Sequence, residues 1–358
     1  MTACGSVVPE HTVLVLQGGG ALGAYQLGVV EALEESGIRP DWVIGTSIGA
    51  INGAIIAGNP PESRVARLAA FWERISRPSI ADAFGWAPAL ADAWRRTEAT
   101  MAGVPGLYAP RAGFGTAPYD TAPMRASLDA LVDFDRLNAG APRFTVGAVN
   151  VLSGAMRYFD TTGTRIGPEH VMASAALAPA FPAVEIEGVP YWDGGLYSNT
   201  PIEAVFSDPQ RRSAVIFAVQ LWQPEGDMPA DFAAALARTR EIRFASRAER
   251  SLAHQAELHH LRHVVRELER HMPEQLRATP EVKALAAWGC ATTMHVLRLV
   301  APRLPGESGA RDVDFSARML RARREAGRTA ALRMIARAPW TQPVDPAIGV
   351  MMHDDDAA

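Results

Sequence analysis

A serine at position 47 stands between two glycines, Gly45 and Gly49, in the pattern G-x-S-x-G. The apolar residues 42–44 predict a short buried strand before it, and a helical pattern begins at Ile48. A strand-to-helix turn forces its central residue into a tight backbone conformation, so small neighbours are needed on both sides. The helix N-terminus would direct N–H groups at the serine oxygen. These five residues fit a nucleophile elbow, and they fit equally well a turn that merely contains a serine.

A glycine-rich loop follows the apolar run 12–17 and opens another helix. Its glycines are Gly18, Gly19, Gly20 and Gly23. The spacing G-x-G-x-x-G matches a dinucleotide-binding loop, which also needs an acidic residue at the end of the second strand. Here Asp41 stands before that strand, so a nucleotide site is disfavoured. The preferred interpretation is an oxyanion hole, in which backbone N–H groups converge on a developing negative charge.

These two strand–loop–helix units in series predict an α/β fold with a parallel sheet. Parallel neighbours place both loops at the carboxyl ends of the strands, where ligands bind in such sheets. Further strands are predicted at 143–151 and 156–160 as a hairpin, and at 184–186 and 189–192. The apolar run 214–221 is predicted to be the last strand of the sheet.

A carboxylate, Asp193, follows one of these strands and precedes Gly194 and Gly195. A side chain that must face another loop without crowding suits this arrangement. An Asp that only caps a turn also fits, and from these residues alone it is the favoured interpretation.

Taken together, the glycine loop, the Ser47 turn and Asp193-Gly194-Gly195 resemble the bacterial patatin-like phospholipase family in order and spacing. The resemblance covers residues 12–221, including the Ser198-Asn199-Thr200-Pro201 segment. Residues 222–340 are similar to the helical C-terminal extension of one branch of that family. The termini, 1–11 and 341–358, are expected to be flexible.

The resemblance implies a three-layer α/β fold, with a mainly parallel sheet flanked by helices and a helical extension. It implies a serine hydrolase in which Ser47 is the nucleophile, Asp193 the base, and the loop of Gly18, Gly19, Gly20 and Gly23 the oxyanion hole. Gly45 and Gly49 would form the elbow, and Gly194 and Gly195 the base loop. Lipid esters would be cleaved through an acyl-enzyme. This chemistry implies no cofactor and no metal.

The Ser–Asp dyad raises a question, because an ordinary carboxylate is a poor base for a serine hydroxyl. Burial would raise its basicity. The alternative is a Ser–His–Asp triad that recruits a histidine of the later helices. The candidates are His254, His259, His260 and His263. They lie among charged residues at helical spacing, so solvated positions are expected for them.

Composition is that of an ordinary globular chain, with 48% apolar residues and a net charge of −4, which disfavours nucleic-acid binding. Cys4 and Cys290 are too far apart in sequence to suggest a disulfide framework or a metal-binding set. The chain has no pattern of a signal peptide or of a membrane span. A cytoplasmic protein is expected, and peripheral contact with the inner face of a membrane stays open.

The region 231–338 carries 20 of the 35 basic residues but 12 of the 39 acidic ones. Helical patterns are predicted at 231–271, 280–300 and 314–338. Amphipathic helices that pack on the core or on a second copy of the chain are the favoured interpretation. The alternative is an Arg-rich surface for anionic lipid headgroups.

Residues 78–122 are rich in Pro, Gly and Trp, and predict either irregular surface packing or an apolar lid. Two functional alternatives also stay open. One is an acyltransferase or thioesterase that uses the same site, and the other is a non-catalytic lipid-binding regulator. For the hydrolase and for both alternatives, the expected partner is a lipid or a small ester.

Overall fold

The computed structural model describes residues 11–77, 101–111, 113, 115–307, 311–345 and 347–355. Its strands are β1 (Thr12–Leu16), β2 (Trp42–Gly45), β3 (Ala109–Pro110), β4 (Tyr119–Asp120), β5 (Arg143–Asn150), β6 (Met156–Asp160), β7 (Val184–Ile186), β8 (Val189–Asp193), β9 (Ala214–Gln220), β10 (Met294–Val300) and β11 (Val350–Asp354). Its helices are α1 (Ala24–Glu35), α2 (Ile48–Ala57), α3 (Pro61–Ile75), α4 (Ala122–Leu131), α5 (Phe134–Asn138), α6 (Pro168–Ser174), α7 (Glu203–Phe206), α8 (Phe232–His271), α9 (Glu274–Arg277), α10 (Pro280–Ala286) and α11 (Ala317–Arg337).

A central sheet runs in the order β11-β10-β9-β1-β2-β5-β8-β7, and β6 also pairs with β5. The first six strands in this order are parallel to one another. β6, β7 and β8 form the antiparallel part, as the predicted hairpins require. The predicted α/β fold with a mainly parallel sheet is therefore confirmed.

The sheet is buried on both faces, which explains why its strands are continuous apolar runs. Along β1, Leu14 and Leu16 contact one apolar cluster, which also contains residues of α1, α2, α3 and α11. The alternate residues Val13 and Val15 contact a second cluster with α7 and with Leu252 of α8. These β1 side chains are fully buried, and each such side chain contributes about 1.5–3 kcal/mol. The three layers expected for this fold are present.

The second half of the chain extends the sheet, contrary to the sequence prediction. The segment predicted as helix over 280–300 is helical only in α10, and its end is β10. β9 is therefore not the last strand, and the tail over 341–358 is not wholly flexible because it contains β11. β10 contains two polar residues with long side chains, His295 and Arg298. In the fold they are paired, since His295 stacks on His353 and Arg298 bonds to Glu249.

The C-terminal helix α11 packs directly on α1, the helix that follows the glycine loop. Gly28 and Gly327 allow this close approach, because a methyl group on either would collide with the backbone of the other helix. The ion pairs Arg324–Glu31 and Arg328–Glu35 flank the contact. The sheet and this helix pair thus join both sides of the boundary predicted at residue 221. Within the described residues, no helix combines the length and apolarity needed to cross a membrane.

Candidate active site

Ser47 occupies the sharp turn between β2 and α2, with φ of 57° and ψ of −126°. A non-glycine residue in this region is strained, and such strain persists only where the surroundings impose it. Ser47 is half-buried, and its backbone N–H donates to Ser174 Oγ at 3.1 Å. The strained turn predicted from the sequence is therefore confirmed. Ser174, at the end of α6, was not foreseen, since only the fold brings it near.

The two glycines of the turn are required by close backbone approach. A side chain at Gly45 would meet the carbonyl of Gly49, and one at Gly49 would meet the carbonyl of Leu16. The turn can thus fold back only if both positions lack a Cβ. This geometry lets α2 begin directly behind Ser47, with its N-terminal dipole end at the serine.

Asp193 ends β8 opposite Ala148 of β5, two residues beyond Val146, the last β5 residue that pairs with β2. This register carries its carboxylate past the end of β2, where Ser47 lies. Asp193 is 1% exposed, and its Oδ1 accepts the Gly195 N–H at 2.7 Å. The other oxygen, Oδ2, is buried without a partner in hydrogen-bond geometry among the described residues.

Burial raises the pKa of Asp193 from its ordinary value of 3.8 to about 7. Removal from water disfavours the charged form, and this effect outweighs the neighbouring donors. The Ser47 hydroxyl and the Gly195 N–H act in the opposite direction and lower the pKa. The Ser47 hydroxyl therefore lies near the carboxylate, although outside the geometry of a formed hydrogen bond. Asp193 therefore has the basicity that an exposed carboxylate lacks.

The glycine loop lies beside Ser47, and its members have different roles. The Gly18 N–H donates to the Asn199 carbonyl at 3.2 Å. The Gly18 carbonyl in turn accepts from Asn199 Nδ2 at 2.9 Å and from Trp222 Nε1 at 2.8 Å. Gly18 therefore anchors the loop and is not an oxyanion donor, which corrects one prediction.

Gly19 and Gly20 line the cavity next to Ser47. Gly20 has φ of 56°, and a side chain there would meet the backbone of Asp312. Gly23 differs, since a side chain on it would collide with Ile48, so it serves the packing of α1 on α2. Of the four glycines of the loop, Gly19 and Gly20 therefore stay as the candidates for oxyanion donors.

A buried amide network supports this loop from behind. Gln17 Nε2 donates to Thr200 Oγ1 at 2.6 Å, and its Oε1 accepts the Trp222 N–H at 3.2 Å. Gln26 donates to the Gln17 carbonyl at 2.7 Å, and Asn52 donates to Gln26 at 2.8 Å. Buried networks whose members are all paired hold their elements rigidly. The loop geometry is thus fixed by β1, α1 and α2 together.

A cavity of about 600 Å³ opens over Ser47 and Asp193, within the size range of small-molecule sites. Its other walls are mainly apolar. They comprise Ile48, Ile51, Leu107, Tyr108, Tyr119, Met124, Ala175, Leu177, Ala180, Phe181, Trp222, Phe232, Leu236, Ala237, Phe244, Val313 and Phe315, with Arg240, Asp312 and Asn199 as polar members. One wall is a cluster of Tyr108, Tyr119 and Phe181, and another is the N-terminal half of α8.

The segment predicted as an apolar lid, 78–122, falls partly outside the described residues, namely 78–100, 112 and 114. Leu107, Tyr108 and Tyr119 belong to its described part, and all three line the cavity. This part of the segment therefore contributes to the site.

All nine histidines lie in the described part of the chain, and none of them lines the cavity. The triad alternative thus lacks its histidine. His254 and His260 are exposed on α8, as expected. The expectation of solvated positions is wrong for His259 and His263, which are 2% and 4% exposed.

Comparison with protein families agrees with this geometry. A family model described as patatin-like phospholipase matches residues 14–206, more than half of the chain. The chain belongs to the patatin-like phospholipase family. A second model, described as patatin phospholipase, matches residues 242–347 of this family member. This match covers most of α8 and all of β10 and α11.

Individual relatives of this patatin-like protein match over short stretches. Lysophospholipase nte1 of Aspergillus terreus is 64% identical over 44 residues, 12% of this chain and 3% of that protein. Patatin-like phospholipase domain-containing protein 6 of Homo sapiens is 48% identical over 69 residues, 19% of this chain and 5% of that protein. The chain thus matches only a small fraction of the length of these relatives.

Solved structures are similar at low sequence identity. The crystal structure of VipD from Legionella pneumophila aligns with a TM-score of 0.41 and 16% identity, covering 92% of this chain and 67% of that one. The ExoU–SpcU complex of Pseudomonas aeruginosa aligns with a TM-score of 0.35 and 16% identity, covering 92% and 52%.

Proposed function

We propose that this chain is a serine acyl hydrolase that cleaves carboxylic esters of lipids through Ser47 and Asp193. The observation that carries the proposal is the geometry of the site. A strained serine, a buried carboxylate with a pKa of about 7 and a glycine loop meet at one end of a mainly apolar cavity. The relatives that match over short stretches include a protein named as a lysophospholipase. Such names support a phospholipid-derived ester as substrate.

In the first half-reaction, Asp193 accepts the proton of the Ser47 hydroxyl as Oγ attacks the ester carbonyl carbon. Negative charge develops on the carbonyl oxygen, and the N–H groups of Gly19 and Gly20 stabilise it, helped by the N-terminus of α2. The tetrahedral intermediate collapses, the carbon–oxygen ester bond breaks, and Asp193 returns its proton to the leaving alcohol. The product is an ester of Ser47.

In the second half-reaction, Asp193 takes a proton from water, which attacks the acyl carbon. The acid is released, and Ser47 regains its proton from Asp193. A base with a pKa near 7 suits both directions of proton transfer at neutral pH. The acyl chain would lie between the Tyr108 cluster and α8, where apolar burial stabilises it by roughly 0.8 kcal/mol per methylene group.

The experiment measures fatty acid released from lysophosphatidylcholine and from a soluble short-chain ester. Ser47→Ala is expected to lower kcat by at least roughly 10⁴-fold on both, and a fluorophosphonate probe is expected to label wild type but not Ser47→Ala. Ser153→Ala, an exposed serine in the β5–β6 turn, is the matched control and should retain full activity. Wild-type labelling at another residue, or activity retained by Ser47→Ala, would refute the proposal.

Acyl transfer to alcohols or thioester cleavage would use the same residues, and no feature of the described cavity favours either over water. Adding glycerol or lysophospholipid acceptors to the assay separates them, because a transferase would form new esters while free acid decreases. A non-catalytic regulator would show neither labelling nor turnover.

We also propose that the cavity opens towards a membrane surface. Leu177, Phe232 and Leu236 line it and are nevertheless 44%, 79% and 58% exposed. Exposed apolar residues at the rim of a lipid site suit insertion among acyl chains. Phe232→Ser is expected to weaken binding to anionic vesicles without a matching loss on the soluble ester. Equal losses on both would argue against a membrane role.

A further inference from the structure

Two histidines and a cysteine come together where β10 and β11 begin, at the end of the sheet opposite the active site. His259 and His263 are four residues apart on α8, so they share one face of the helix. Cys290 lies in the segment between α10 and β10, whose backbone is tied to α8 by the bond from the Cys290 N–H to the Arg262 carbonyl at 3.2 Å. The sequence shows no such set, because 27 residues separate Cys290 from His263.

The three side chains are buried, and their ligand atoms lie close together. Their exposed fractions are 2% for His259, 4% for His263 and 5% for Cys290. One ligand atom from each lies within 4.8 Å of the other two. The Nε2 atoms of both histidines lie 2.9 and 2.8 Å from a single atom, the Thr292 carbonyl oxygen.

The surroundings are shaped around this cluster. A side chain at Gly349, the residue before β11, would collide with the His263 ring, so the backbone approaches that ring directly. The Phe206 ring packs edge-on against His259 at 5.6 Å. Cys290 Sγ lies 2.9 Å from Thr292 Oγ1. An apolar ring beside the ligands and a hydroxyl next to the sulfur are the kind of outer contacts that fix metal ligands in orientation.

We propose that His259, His263 and Cys290 bind one divalent transition-metal ion, with Zn²⁺ as the expected ion. Two imidazoles and a thiolate suit Zn²⁺, whereas Mg²⁺ and Ca²⁺ prefer carboxylate and carbonyl oxygens. The cluster contains no carboxylate. The Thr292 carbonyl oxygen is in position to contribute an oxygen donor or to hold a water as fourth ligand.

Binding has a defined proton balance. The Cys290 thiol loses its proton to solvent, and the thiolate sulfur donates an electron pair to the metal. Each imidazole binds through an unprotonated ring nitrogen, so a proton on that nitrogen moves to the other one. One proton is therefore released per ion bound, and no oxidant or reductant is needed.

The position of the site indicates a structural role. It lies at the start of β10, whereas Ser47 follows the carboxyl end of β2, a strand that runs in the same direction. Along the strand direction the two sites are thus separated by about the length of β10, roughly 20 Å for seven residues, and two strands, β9 and β1, lie between β10 and β2. The ion would fix the second half of α8 to the sheet, while the first half of the same helix lines the cavity.

The test uses the full chain, stripped with a chelator under reducing conditions and titrated with Zn²⁺ against a chromophoric competitor. Wild type is expected to bind one equivalent and to melt several degrees higher with the ion. Cys290→Ser and His263→Ala should lose at least roughly 100-fold in affinity, more than the loss of an outer contact causes. His254→Ala, an exposed histidine on the same helix, is the matched control and should bind as wild type does.

Co²⁺ provides a test that needs no substitution among the ligands, because thiolate ligation gives a charge-transfer band in the near ultraviolet. In a Cys4→Ser background, where Cys290 is the remaining thiol, Zn²⁺ should also slow alkylation of that thiol. Three results would overturn the proposal. Wild type would bind less than one equivalent of Zn²⁺, the Co²⁺ form would show no thiolate band, or Cys290→Ser would bind Zn²⁺ as tightly as wild type. Ester hydrolysis plays no part in any of these measurements, so their outcome is independent of the proposed activity.

Discussion

Replacing Asp193 with asparagine should stabilise the protein at alkaline pH while it abolishes hydrolysis. The buried carboxylate has a pKa raised from 3.8 to about 7, which corresponds to a penalty of up to about 4 kcal/mol for holding it ionised. Because the folded state binds the proton more tightly than the unfolded state, stability is full below pH 3.8 and is lost as the pH rises through about 7. The amide of the Asp193→Asn variant carries no charge, so that variant does not incur this penalty.

The assay is urea unfolding of wild type and Asp193→Asn at several pH values. The gap in the free energy of unfolding should widen by about 3 kcal/mol between pH 5 and pH 8, in favour of Asp193→Asn. Wild-type kcat/KM should rise about tenfold per pH unit below pH 7 and level off above it, since the ionised carboxylate is the base. A gap that is constant with pH, or a rate profile that is flat from pH 5 to pH 8, would refute the reasoning.

Three further predictions concern the loop and the sheet edge. Trp222→Phe removes the N–H that the Gly18 carbonyl accepts, so kcat/KM should fall about 5-fold, the worth of one hydrogen bond, with little change in circular dichroism. Gly20→Ala should lower kcat by roughly 10²-fold, the worth of an oxyanion donor, whereas Gly37→Ala, which has a similar φ but open space, should not. Burial lowers the pKa of His353 and of its stacked partner, so stability should fall as the pH drops below 6.5. His353→Gln should weaken that fall in urea unfolding, and an unchanged pH dependence would contradict it.

The loops of the first half of the chain could be predicted from local patterns, because their backbone geometry depends on residues that are adjacent in sequence. The turn at Ser47 needs glycines on both sides, so its strain and close backbone approach require a recognisable five-residue motif, G-x-S-x-G. The same holds for the glycine loop after β1. Asp193 was harder to assign, because nothing near it in sequence shows that the fold buries its carboxylate and raises its pKa.

What the sequence did not reveal depends on contacts between distant segments. Trp222 and Asn199 both bond to Gly18, yet neither belongs to a pattern that predicts this contact. β10 was included in a predicted helix over 280–300, because periodicity alone does not separate a short buried strand from a helix. The partners of the polar residues of β10 come from α8 and β11, which only the fold brings close.

The walls of the cavity are divided between two parts of the chain, and this division affects how its sequence can diversify. Ser47, Asp193 and the glycine loop come from the first 200 residues, whereas α8 contributes a wall from Phe232 to Phe244 and none of the groups proposed to react. Mutations on this face of α8 can therefore reshape the space offered to a ligand without altering the strands that position Ser47 and Asp193. Evolution can tune which molecules are accepted and how they are processed as nearly independent traits, and directed libraries confined to these positions would exploit the same separation.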